Sequence, residues 1–434
     1  MKLVKMSLVA SLLVGSSLLA VENVEYGGDV NLFYDTQDGG TEDLFNKDAS
    51  AADASLNLFI GAELLKNDAV TLKGKAAYTV LSTLGLENNM VSNVWGGSHT
   101  ATTGTGSSYG AKVENANYFT EAYVTVEAGK TALQLGRMEI DTPLAFTEAW
   151  SIEKNTFEAA VVVNTDIPDT TIVGAYIGNG NGTEAFGTGD DVDANDLPIN
   201  GNLQSNVYTL GLAMGGVVNG EGKFGTFGTD GAYAAGIINN SFKPLTAQAW
   251  YYNVSKVAEA YWLQADIDCS LVEGVKIGAQ YSAIEYGNKS GADGVDSNVY
   301  AAMLGYEMKD TFFAKVAYSK VDDDAQAGFN TATATGTAQS KLYTEAWWMY
   351  GEVTQAGAEA INVTLEAPIG DIVDLGVYVT MVDHKTGVAD DLTEVTATLA
   401  KSFGPLDASL AYVYVDEDNV SDVNRVQAYL TLNF

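Results

Sequence analysis

The amino-acid sequence predicts an all-β chain, a transmembrane antiparallel β-barrel of about eighteen strands with short periplasmic turns and long extracellular loops. Three observations predict it. The N-terminus reads as an export segment, apolar and polar residues alternate along most of the chain between short and long connections in turn, and the last amphipathic strand stops on Phe434.

The export segment comes first. Lys2 and Lys5 precede an apolar run that ends in small residues at Ala20, the pattern of a cleaved secretory signal peptide over residues 1–20. Residues 21–434 then form one barrel domain. No other run reaches the roughly 18 apolar residues that a membrane-spanning helix needs. The 434 residues include 45 glycines, 23 tyrosines and only 6 prolines, which suits many short strands joined by turns. Cys269 stands alone, so an internal disulfide is excluded. The net charge is −34; without Lys2 and Lys5, 20 basic residues face 56 acidic ones, or −36. Phosphates would be repelled by such a chain, which excludes nucleic acid as a partner and favours cations.

The strands follow by parity. Tyr26, Val30, Leu32 and Tyr34 face one way, and Glu25, Asp29 and Asn31 the other. Leu72, Ala76 and Tyr78 oppose Lys73, Lys75 and Thr79. Tyr261, Leu263, Ala265 and Ile267 oppose Trp262, Gln264, Asp266 and Asp268. Segments 275–283, 361–367 and 373–381 repeat the pattern. In the last strand Val426, Ala428, Leu430, Leu432 and Phe434 share one face, with Arg425, Gln427, Thr431 and Asn433 on the other.

Short connections rich in Gly, Pro, Asp or Asn fall at 65–69, 128–131, 166–170, 242–245, 271–274, 308–311, 368–371 and 403–406. Longer ones alternate with them near 37–50, 82–116, 141–155, 180–230, 254–258, 286–297, 322–357, 384–390 and 417–422. Eighteen strands result, beginning and ending on one side. Segments 206–215 and 342–353 are read as loop; if they enter the wall, the count becomes sixteen or twenty. Eighteen strands enclose an aqueous lumen.

The stretch 131–166 sets the lumen. It reads as strand, loop, strand. Leu133 and Leu135 share one parity and Met138 and Ile140 the other, so a bulge at Gly136 is expected, aiming Arg137 and Glu139 to the side of Gln134. The loop 141–155 carries Pro143, aromatics and both charge signs, and is read as folding into the barrel to narrow it. Arg137, Glu139, Asp141, Glu148 and Glu153 are the candidate constriction residues, with Glu158, Asp266 and Glu366 on the lumen wall. The wall is read with nine acids (Glu25, Asp29, Glu158, Asp266, Asp268, Glu366, Asp374, Glu394 and Asp407) against six bases (Lys73, Lys75, Arg137, Lys276, Lys315 and Arg425), which predicts attraction of cations.

Other chemistry finds little support. Asp191, Asp193 and Asn195 copy the start of a calcium-binding loop, but Asp196 and Asn202 break the pattern. No metal or other cofactor is therefore expected, although structural calcium shared by several acidic loops is left open. The two histidines, His99 and His384, lie in expected loops. Ser98, Ser107 and Ser108 stand near His99 without a motif that fixes a pair, so a hydrolase is poorly supported.

The stretch LQLGRMEIDTPLAFTEAWSIEKNTFEAAVVVNTDIPDTTIVGAYIG resembles the "GR…TP…TFEA" region of the OprD-like outer-membrane porins. The start MKLVKMSLVA, the run GAYAAGIINNSFKPLTAQAWYYNV and the ending SFGPLDASLAYVYV…VQAYLTLNF look like the major porins of the epsilonproteobacterial group. The resemblance implies eighteen strands, an inward third loop, passive diffusion of small hydrophilic solutes and ions, outer-membrane lipid around the wall, a terminal Phe434 read by the barrel-assembly machinery, and association as a homotrimer in related porins. A ladder of basic residues serves family members from Pseudomonas; two arginines cannot build one, so a general channel that prefers cations is expected. The alternative is a surface structural or adhesive barrel plugged by loops 180–230 or 322–357.

Overall fold

The computed structural model describes residues 21–38, 42–82, 84–86, 89–91, 94–95, 109–110, 117–150, 152–180, 225–226, 231–255, 257–287, 294–332, 338–386 and 389–434. Its wall has eighteen antiparallel strands. The first nine are β1 (Glu22–Gln37), β2 (Ser50–Lys66), β3 (Thr71–Ser82), β4 (Asn117–Ala128), β5 (Thr131–Met138), β6 (Phe157–Asn164), β7 (Thr170–Gly180), β8 (Ala232–Asn239) and β9 (Leu245–Val254). The rest are β10 (Ala258–Asp268), β11 (Val275–Tyr286), β12 (Asp296–Met308), β13 (Phe312–Val321), β14 (Ala358–Ile369), β15 (Val373–His384), β16 (Leu392–Phe403), β17 (Leu406–Glu417) and β18 (Val423–Asn433). Each pairs with its sequence neighbour, and β1 closes on β18 from Asp29↔Asn433 to Gln37↔Arg425. Gly225–Thr226 only extends the pairing at the end of β7. No helix among the described residues is long and apolar enough to cross a membrane.

Closure satisfies every edge, the condition for a sheet in lipid. The closing seam is also tied at the chain end, where Phe434 and Gly28 exchange backbone hydrogen bonds of 3.0 and 2.9 Å. Outward positions such as Leu263, Leu304, Val316, Val363 and Leu430 form an exposed apolar belt, with tyrosines 176, 233, 251, 261, 300, 318 and 412 on the same outer face. That is the girdled surface of a membrane barrel. The short turns obey local geometry. The two-residue turns after β4 and β16 place Gly129 (φ +59°) and Gly404 (φ +65°) first, where a type II′ turn requires a positive φ.

Segment 342–353 lies within a loop, in agreement with the sequence reading; it runs inside the barrel as turns and a short 3-10 helix, Glu352–Thr354. Segment 206–215 lies outside the described residues, and the wall closes at eighteen without it. One local expectation is corrected: Gly136 forms no bulge, because both of its ladders run through it in register. The extra residues are Thr120, between the partners of Ala77 and Tyr78, and Gly178, between the partners of Glu158 and Ala159. Gly136 instead takes φ +131°, where a Cβ would stand 2.2 Å from the carbonyl oxygen of Ala122. Met138 is apolar on the inward parity for another reason: it packs with Ile140, Leu144 and Phe157 beneath an inward loop.

The core therefore lies within the barrel. Trp262, Val299, Phe329, Ala338 and Val353 are buried between the inner wall of β10 to β15 and chain that has turned inward. In an open barrel those positions would face water and read as polar.

Candidate functional site

Among the described residues, two loops occupy the lumen. The first, 139–156, joins β5 to β6. Its bridge Asp141↔Phe146 and its small hairpin Ala149–Trp150 with Glu153–Lys154 fold it back on itself. The sequence reading of this loop as inward agrees with its packing: Leu144, Ala145 and Phe146 are buried, and the amide of Leu144 donates to the Tyr252 hydroxyl on β9 at 3.3 Å.

The second, 322–357, joins β13 to β14. Sequence marked it as long enough to fill the lumen, with no sign of where it anchors. It seats on the first loop and on the far inner wall. Asn330 Nδ2 donates to Glu148 Oε1 (2.8 Å) and to the carbonyl of Phe146 (2.9 Å), and the amide of Gln339 donates to Glu148 at 2.9 Å. The Tyr343 hydroxyl donates to Asp266 at 2.5 Å, and Lys315 Nζ donates to the Tyr343 carbonyl at 2.6 Å. Glu394 on β16 accepts from the amides of Trp347 (2.9 Å), Trp348 (3.0 Å) and Met349 (2.6 Å). Arg425 stacks 4.0 Å over the Trp348 ring while its guanidinium donates to the buried Asp35 at 2.6 Å. Only a fold that brings β1, β10, β13, β16 and β18 around one volume creates these anchors.

Among the described residues, the inner wall of β2 to β5 carries no cover as extensive as this second loop. There Lys66 pairs with Glu63 (3.2 Å), Lys73 with Glu127 (2.7 Å) and Lys75 with Glu121 (2.6 Å). Glu139 pairs with Lys154 of the first loop, within electrostatic range of Lys75 and Tyr123. Lys73 and Glu127 keep 45% and 39% of their side-chain surface, and Lys154 and Glu139 keep 46% and 38%. Among the described residues, the lumen thus has a packed side and a charged side whose lysines stay partly exposed.

The candidate residues divide accordingly. Glu139, Glu148 and Glu153 belong to the inward loop, and Asp141 on the same loop pairs with Lys341 of the second. Asp266 and Glu366 face inward, the latter accepting from Tyr378 at 2.9 Å. Arg137 and Glu158 do not join them. They pair with each other at 2.8 Å on the outer parity, shared with the exposed Leu133, Leu135 and Val162. The expected bulge would have turned Arg137 inward; without it the residue stays outside. Glu158 also accepts from Asn179 at 2.6 Å, within an outward concavity of about 960 Å³ that Phe119 and Tyr176 line. Removing one acid and one base leaves the inner acidic excess unchanged. Glu63, Glu121, Glu127 and Glu307, which parity reading overlooked, enlarge it. A cavity of about 370 Å³ at the short-turn end is lined by Glu307, Glu366 and Asp374.

Burial raises two loop carboxyls. Glu153 is pushed up to about 7, against the opposing pull of Ser55 and Asn57. Glu345 is pushed up to about 8 by burial and secondarily by Glu148, although the Ser340 amide donates to it at 2.8 Å. Asp191, Asp193, His99 and its neighbouring serines lie outside the described residues. The His384 ring lies buried against the backbone carbonyls of Asp390 (2.8 Å) and Glu352 (3.3 Å), a tether for loops rather than a base facing the lumen.

A closed eighteen-strand barrel with an apolar outer belt and two inward loops defines the outer-membrane channel class of fold. No family model matches the chain, and no curated protein matches it by sequence. Solved structures do. OccAB4 of Acinetobacter baumannii is 10% identical, with TM-score 0.71 over 96% of this chain and 99% of that one. OccK9 (OpdG) of Pseudomonas aeruginosa is 12% identical, with TM-score 0.70 over 95% and 99%. The outer membrane protein OpdK of the same organism is 12% identical, with TM-score 0.68 over the same shares. These structural neighbours are OprD-family outer-membrane porins, so the chain has the fold of that family.

Proposed function

We propose that this chain is an outer-membrane porin: a water-filled channel for passive diffusion of small hydrophilic solutes and ions, with cations preferred. The observation that carries the reading is the one-sided packing of the lumen among the described residues, with partly exposed lysines in ion pairs along β2 to β5 and a packed second loop opposite. The cation preference rests on the inner acidic excess and on the carboxylates at the short-turn end. Such diffusion involves no covalent chemistry and needs no cofactor. The reading includes outer-membrane lipid around the belt, insertion through the assembly machinery that reads Phe434, and association as a homotrimer.

The test is the reversal potential of the purified mature protein in a planar bilayer under a potassium chloride gradient. Steady conductance with a cation-selective potential is expected. Anion selectivity would discard the acidic-lumen account and keep the channel. A second reading has one observation in its favour: loop 322–357 is anchored deep in the lumen, as a plug would be. A folded barrel without conductance would establish that plugged surface protein instead.

A further inference from the structure

The charged side of the lumen is not simply acidic. Its lysines and glutamates come in tiers. Glu139–Lys154 lies on the inward loop and Lys75–Glu121 stands on the wall beside it; Lys73 is two residues further along β3 toward the short turns, and its partner Glu127 lies six residues beyond Glu121 on β4. Glu63–Lys66 follows near the end of β2. Lys75 and Lys73 are about 7 Å apart along β3 and Glu121 and Glu127 about 20 Å apart along β4, with Glu63, in register with Lys73, at a level between those two carboxylates. Every cation in this strip therefore has a carboxylate beside it, and the next lysine, flanked by Glu63 and Glu127, lies one short step away.

A strip of this kind treats solutes differently from a ladder of one sign. A singly charged solute gains one partner and leaves the other member of each opened pair unmatched. A solute carrying an ammonium and a carboxylate a few ångströms apart can replace both partners at once and hand itself to the next tier. Each pair keeps at least its lysine partly exposed, and the pairs exposed on both sides, Lys73–Glu127 and Glu139–Lys154, are individually weak, so the exchange there leaves no deep trap.

We infer that the β2–β5 strip selects small zwitterions of amino-acid size over singly charged and neutral molecules of the same shape. This rests on the channel reading above and goes beyond its cation preference for simple ions, which the whole lumen field sets.

The experiment uses the purified full-length mature barrel in liposomes, with salt on both sides and no membrane potential, and measures tracer influx of four near-isosteric probes. They are alanine (zwitterion), alaninamide (cation), lactate (anion) and lactamide (neutral). Alanine is expected to enter fastest, about two- to five-fold above lactamide, the scale of one exposed ion pair. Lys75→Gln with Glu121→Gln should bring alanine down to the lactamide rate, and the reversed pair Lys75→Glu with Glu121→Lys should restore the preference. Heat-modifiable migration of each variant confirms the folded barrel. Fluxes ordered by charge alone, with alaninamide first and alanine equal to lactamide, would overturn the inference and leave the channel standing. Absence of flux for all four probes would overturn both.

Discussion

Glu148 of the first inward loop accepts a hydrogen bond of 2.8 Å from Asn330 of the second, across 182 residues of sequence. The Glu148 side chain is fully buried, so this contact latches one loop to the other within the lumen. Asn330→Ala removes three bonds to the first loop, two that it donates and one that it accepts from the Phe146 amide, and leaves buried polar groups short of partners, at a cost of about 1–3 kcal/mol. The expected readout is greater open-channel noise in single-channel recordings with the barrel still heat-modifiable. Glu148→Gln should add little to Asn330→Ala, because both break one latch.

Arg425 and Asp35 form a buried pair across the closing seam, and Arg425 also supports Trp348 of the second loop. Arg425→Met strands the Asp35 carboxylate, which should cost roughly 3–5 kcal/mol. Urea unfolding of the refolded barrel should show a clearly lower midpoint. Adding Asp35→Leu should recover part of the loss, since the uncompensated charge is then gone.

The loop carboxyls Glu153 and Glu345 make loop docking depend on pH. Their folded values, about 7 and about 8, lie above the ordinary 4.5, so the docked loops favour the protonated forms. That contribution is complete below about 4.5 and is lost as pH rises through 7 and then 8. Hydrogen exchange in 141–155 and 338–354 should speed up over that window beyond the intrinsic base-catalysed rise. Glu345→Gln should flatten the upper part of the change; an unaltered profile would sink the account.

The outward placement of Arg137 separates it from conduction. Arg137→Gln should leave the reversal potential unchanged, whereas Lys75→Gln should make it more cation-selective. If Arg137→Gln shifts the potential as much as Lys75→Gln does, the residue faces the lumen after all.

Gly136 holds a backbone conformation that suits glycine, with the Ala122 carbonyl where a Cβ would go. Gly136→Ala should destabilise the barrel by about 1–3 kcal/mol through strain at this position. Gly61→Ala is the control, because the nearest atom to its Cβ would be 3.7 Å away. It should change the unfolding midpoint far less.

The sequence by itself determined the class of fold, the alternation that separates lipid face from lumen, the connection rhythm that yields eighteen strands, and the inward course of 141–155. These follow from local physics: a two-residue period, turn chemistry, and a loop that carries a proline, aromatics and both charge signs. The same logic misjudged Met138 and Arg137, because a parity rule treats apolar as outside and charged as inside. Met138 is inside beneath Leu144, and Arg137 is outside with Glu158 as its partner. Only the tertiary structure decided which half of the lumen is packed. Loop 322–357 reaches Asp266, Glu394 and Arg425 from strands far apart in sequence, and no periodicity within the loop encodes contacts that exist only once the barrel has closed around it.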